Sequence, residues 1–165
     1  MNPSAHVLAQ ERFERDGVLV SRPRAEDVQV HDFLKTQSIA SPGDYFAWLK
    51  ANIAYVPDTE DVWSDPAETL RRRRGDCEDY AFLTKEVLHV LGSDAQVLIL
   101  DRGRAQHAVC IFRNGSHYAW VDNTEFHSSP RSSLENFLKD LRENYLARRL
   151  GLAVRNPNRV RWINV

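Results

Sequence analysis

The chain has 165 residues, 42% apolar and 27% charged, which is ordinary globular usage and gives one domain enough material for its own core. Its net charge of −1 provides no bulk field toward nucleic acid or membrane. No stretch approaches the roughly 18 apolar residues of a membrane span, and the mixed charges of Met1–Val20 do not make a signal peptide, so a cytoplasmic protein is expected.

In chain order, residues 1–35 are the least legible. Gly17–Val20 suggests a short strand, and Val28–Leu34 suits either a helix or a strand. A helix begins after Ser41, which caps it; Pro42 fits its first turn, Asp44 answers the cap, and Pro57 should end it. An acidic loop follows with Asp58, Glu60 and Asp61. A short helix over Ala67–Arg72 should stop at Gly75, and Arg71–Arg74 read as a solvated cationic run. The next helix runs from Cys77 to Leu91 with Gly92 as terminator. Its apolar arc (Tyr80, Ala81, Leu83, Thr84, Val87, Leu88) faces a sheet, while Glu78, Lys85, Glu86 and His89 lie opposite.

Strand signals come next at Gln96–Leu100, His107–Phe112 and Tyr118–Asp122, with Asn114-Gly115 as a hairpin turn. Ser132–Leu150 reads as a long amphipathic helix ended by Gly151, and Val160–Val165 as a final strand. Helices followed by hairpin strands give an α+β fold with an antiparallel sheet.

The two cysteines form neither a disulfide framework nor, without CxxC partners, a structural zinc site. Cys77 sits at a helix start, where the dipole and a nearby imidazolium would lower its pKa. If Asn114 and Gly115 are the loop residues, His107 faces Asp122 across the hairpin, with Cβ atoms about 4.5–5.5 Å apart. A carboxylate on one ring nitrogen fixes the tautomer and frees the other nitrogen to act. Cys77, His107 and Asp122 therefore read as nucleophile, base and orienting acid, with the Cys77 amide and the Trp63 indole as oxyanion donors. Cys110, on the opposite strand face from His107, reads as core. His117 faces away from His107, and His127 lies in a loop.

Trp63-Ser64-Asp65-Pro66-Ala67-Glu68-Thr69-Leu70 and Gly75-Asp76-Cys77-Glu78-Asp79-Tyr80-Ala81 resemble the transglutaminase-like superfamily, above all its bacterial cysteine proteinases. His107-Ala108-Val109 and Trp120-Val121-Asp122-Asn123 resemble its histidine and aspartate strands. The resemblance implies a papain-like core, with the cysteine helix packed on an antiparallel sheet. It also implies a thioester acyl-enzyme formed on a peptide or protein amide, acting as a cysteine peptidase or amidase. No cofactor is required, but calcium is a candidate ion, held by Asp76, Glu78 and Asp79 with help from Asp58, Glu60 or Asp61. The expected partner is a peptide or protein substrate, not nucleic acid or membrane. Protein-glutamine transglutaminase or deamidase activity is the alternative enzyme reading, a non-catalytic peptide-binding module is the alternative from another class, and arylamine acetyl transfer ranks last.

Overall fold

The computed structural model describes residues 25–57, 62–155 and 158–165, with side chains from residue 29 onward. The strand expected at Gly17–Val20 and the loop acids Asp58, Glu60 and Asp61 lie outside the described residues. The elements are α1 (Ala25–Thr36), α2 (Pro42–Asn52), β1 (Ala54–Tyr55), α3 (Pro66–Arg72), β2 (Arg74–Gly75), α4 (Cys77–Val90), β3 (Ala95–Asp101), β4 (Gln106–Asn114), β5 (His117–Asp122), β6 (Glu125–Ser128), α5 (Leu134–Asn144), β7 (Arg149–Val154) and β8 (Arg159–Ile163).

The main sheet is antiparallel throughout, in the order β6-β5-β4-β3-β7-β8. Period-2 alternation sends successive side chains to opposite faces. Val97, Ile99, Ala108, Cys110, Phe112, Ala119 and Val121 meet Ala81, Phe82 and Leu88 of α4. Leu98, Leu100, Val109, Ile111 and Tyr118 meet Leu134, Phe137, Leu138 and Leu141 of α5. A third cluster packs Val30 and Leu34 of α1 and Tyr45 and Leu49 of α2 onto Tyr80, Leu83 and Val87 of α4. The helix that starts at Cys77 is therefore central, as its wide apolar arc implied, but only part of that arc faces the sheet: Tyr80, Leu83 and Val87 pack on α1 and α2, and Phe82, outside the expected arc, packs on the sheet.

Several local readings hold in detail. Ser41 Oγ accepts the Asp44 amide at 3.2 Å and donates to Asp44 Oδ2 at 2.8 Å, forming a reciprocal cap. Gly92 takes φ +85 after α4, where only glycine avoids strain.

Others are corrected. Pro57 does not end α2, which stops at Asn52. Ala54 and Val56 then donate to the carbonyls of Arg73 and Gly75 at 2.9 and 2.8 Å, making a small parallel ladder with β2. Arg73, at φ +56, rather than Gly75, closes α3. Glu78 and Glu86 are buried despite facing away from the apolar arc. The long helix expected over Ser132–Leu150 ends at Asn144, and Gly151 lies inside strand β7. A Cβ on Gly151 would fall 2.3 Å from Val160 and 2.9 Å from Trp162, so glycine there serves β8 packing rather than helix termination. His127 is on strand β6, not in a loop, and its ring stacks on Trp120 with centroids 4.7 Å apart.

Candidate active site

Cys77 is the first residue of α4, after Asp76 at the N-cap. Gly75 precedes them because the Asp79 side chain crosses its Cα: an added Cβ would sit 2.5 Å from Asp79 Cβ. Asp79 Oδ1 in turn accepts the Ser64 amide at 2.9 Å, tying the chain after Trp63 to the helix start. Trp63 packs on Phe82 with ring centroids 5.2 Å apart, in the same apolar cluster as Cys77.

His107 and Asp122 meet: His107 Nε2 lies 2.7 Å from Asp122 Oδ1, with side chains 20% and 22% exposed. The register that brings them together is not the expected one. Asn114 pairs with His117, so the two loop residues are Gly115 and Ser116. The ladder runs to Cys110↔Val121, which puts Asp122 level with Val109, two residues along from His107. A slip of two preserves the face, so the diagonal neighbour still supplies the carboxylate. Asn114-Gly115 failed as the turn pair because Gly115 alone takes positive φ, at +64, and Asn114 stays in the strand.

The Cys77 sulfur donates to Glu78 Oε2 at 3.0 Å and accepts from the Ala108 amide, next to His107 in β4. Burial first, and then the Glu78 carboxylate, push the thiol up to about 12; the Ala108 amide pulls the other way. This corrects the expected lowering at the helix N-terminus. A carboxylate aimed at the sulfur favours the thiol over the thiolate, and spacing alone did not reveal that aim. Glu78 is itself raised to about 7, by burial first and also by Asp76 beside it. Burial also works against the Asp122 carboxylate, but hydrogen bonds from His107 and Tyr145 outweigh it and hold the group below its usual range.

The acidic turn fits a cation only in part. Asp76 and Glu78 are both buried, and the Asp76 charge raises Glu78, a pair of carboxylates that suits a hard cation. Asp79 is turned to Ser64, and among the described residues no three His, Cys, Asp or Glu side chains converge on one point.

Two neighbours of the site carried no signal in the sequence. Tyr145, at the end of α5, donates to Asp122 Oδ2 at 2.6 Å. Tyr55 of β1, whose ring lies 6.2 Å from that of Tyr80, has its hydroxyl raised by burial first and then by the charges of Cys77, Asp76, Glu78 and Asp122. Cys110 is fully buried between β4 and α4, as expected of a core residue. His117 is exposed at the far hairpin end.

Among solved structures, a protein from Cytophaga hutchinsonii provisionally described as a cysteine protease is similar to this chain at TM-score 0.50 and 17% identity, covering 67% of this chain and 43% of that one. A transglutaminase structure is similar at TM-score 0.48 and 15% identity, covering 79% of this chain and 41% of that one. Calcium-bound LapG of Legionella pneumophila is similar at TM-score 0.44 and 16% identity, over 77% of each chain. At such identities the first likeness speaks for the fold, and this chain spans less than half the length of the first two proteins. No curated protein matches the sequence significantly. Among the described residues, no helix is long and apolar enough to cross a membrane. The sequence profile described as "Transglutaminase-like domain" matches residues 26–146, most of the chain. The chain thus belongs to the transglutaminase-like domain family.

Proposed function

We propose that this chain is a cysteine-dependent acyl-transfer enzyme, a peptidase or amidase, with Cys77 as nucleophile, His107 as base and Asp122 as the residue that orients the base. The supporting observation is the 2.7 Å His107–Asp122 bond on the β4 stretch whose Ala108 amide touches the Cys77 sulfur. An imidazole with Nε2 held by a carboxylate keeps Nδ1 for the thiol proton.

The steps follow from these groups. The Cys77 side chain turns off Glu78 and gives its proton to His107 as sulfur attacks the amide carbonyl. The Cys77 amide at the helix start, with the Trp63 indole as second donor, receives the developing oxyanion. His107 then protonates the leaving amine, and water or another amine resolves the thioester. Calcium, when bound, would be held by Asp76 and Glu78 and would supply positive charge that offsets their repulsion.

A tryptic digest of a cell lysate, incubated with the protein and searched for new termini, tests hydrolysis. A labelled primary amine in the same mixture tests transfer. Cleavage lost in Cys77→Ala supports the peptidase reading, Cys77-dependent amine incorporation favours the transferase, and neither outcome under any condition rejects both.

A further inference from the structure

The His107–Asp122 pair occupies one carboxylate oxygen, Oδ1. The other, Oδ2, accepts the Tyr145 hydroxyl at 2.6 Å. Tyr145 reaches the pair from the C-cap of α5, on neither of the two strands that carry it. Its oxygen accepts Trp120 Nε1–H at 3.0 Å, so the single phenolic proton is committed to Asp122. Its ring lies against the His107 ring, with centroids 6.0 Å apart and planes 29° from parallel. The Arg102 guanidinium lies over the same ring, 5.7 Å from its centre.

A carboxylate with one partner turns broadly about its last torsion. Strand pairing does not hold this one against His107, because the β4–β5 ladder stops at Cys110↔Val121. The side chains must therefore fix the geometry themselves, and Tyr145 contacts both members. We propose that Tyr145 is a positioning residue for the catalytic pair: its hydroxyl fixes the rotation of the Asp122 carboxylate so that Oδ1 stays on His107 Nε2, and its ring fixes the imidazole plane. This rests on the reading of Cys77, His107 and Asp122 given above. Trp120 acts one step further out by orienting the hydroxyl. The charge of His127 of β6 also acts on Asp122, and the charge of Asp122 on Tyr55 of β1.

Tyr145→Phe removes the hydroxyl and keeps the ring. Two readouts apply to the full chain: the ring ¹⁵N and Nε2–H resonances of His107, and the rate of Cys77 alkylation by iodoacetamide as a function of pH, in which fully buried Cys110 stays silent. In Tyr145→Phe the Nε2–H resonance should move and broaden, the pH profile of alkylation should be displaced, and the rate near neutrality should fall roughly tenfold, the scale of one hydrogen bond to a charged group. Trp120→Phe, which keeps the tyrosine but frees its hydroxyl, should lie between. A merely structural tyrosine would lower the melting temperature and leave resonances and profile in place; that result overturns the proposal. If alkylation is indifferent to His107→Ala, the catalytic reading fails, while the His107 resonances still decide whether Tyr145 holds the pair.

Discussion

The Cys77 sulfur donates to Glu78 Oε2 at 3.0 Å, while the His107 imidazole is bonded to Asp122. The Cys77 sulfur thus rests on a buried carboxylate, and burial first, then that contact, raise the thiol instead of activating it. Glu78→Gln removes the charge and keeps the shape. The variant should alkylate at Cys77 several-fold faster at neutral pH, measured by iodoacetamide kinetics. An unchanged rate would show that Glu78 does not restrain the sulfur.

The same carboxylate makes stability depend on pH. Glu78 is raised from 4.5 to about 7 in the folded state, so the native state binds its proton more tightly than the unfolded chain does. Below 4.5 both states are protonated and no penalty exists; as pH rises toward 7 the penalty grows, and above 7 it is fully present. The protein should therefore become more stable on acidification from about pH 8 to about pH 5, by on the order of 2 kcal/mol. Melting curves across that window should show the rise in the wild type and flatten in Glu78→Gln.

Leu146 stands at φ +51 with 84% of its surface exposed, directly after the C-cap of α5. Its amide and that of Ala147 bond back to Glu143 and Arg142 at 3.1 and 2.9 Å, which completes the helix-ending turn that glycine favours. Leu146→Gly should stabilise the fold by about 1 kcal/mol, since left-handed backbone costs leucine and exposed apolar surface returns little. Urea unfolding checks it, with a rise in midpoint at constant slope.

Gly151 has the opposite dependence. Gly151→Ala places a methyl against Val160 and Trp162, both in β8, and should cost about 1–3 kcal/mol through strain at the β7–β8 pairing. A melting temperature equal to wild type would mean that β8 yields freely.

Much of the architecture was legible because local chemistry and tertiary need agree. The Ser41/Asp44 cap and the arc from Tyr80 to Leu88 each fix a helix, and the alternation along β4 fixes the faces it buries; which side of α4 meets the sheet was not legible, because helices cover one side and the sheet the other. The C-terminal third was misread where they disagree: the amphipathic run after Ser132 carries on past Asn144 in sequence, but Arg149–Val154 is taken by the edge of β3. The hairpin register slipped by two because Asn114-Gly115 looks like a turn pair, while Ser116 completes the loop. His107 and Asp122 still met, since a slip of two conserves the face. Glu78 against the sulfur and Tyr145 on Asp122 were not legible, because each depends on where one side chain points after the elements have packed.

The central claim is that Cys77 is a nucleophile served by His107. Intact-mass spectrometry after incubation with an electrophilic thiol probe at neutral pH tests it, comparing wild type, Cys77→Ala and His107→Ala. One adduct on wild type, none on Cys77→Ala, and labelling slowed at least about tenfold in His107→Ala is the expected result. Equal labelling of wild type and His107→Ala, or an adduct that persists in Cys77→Ala, would contradict it.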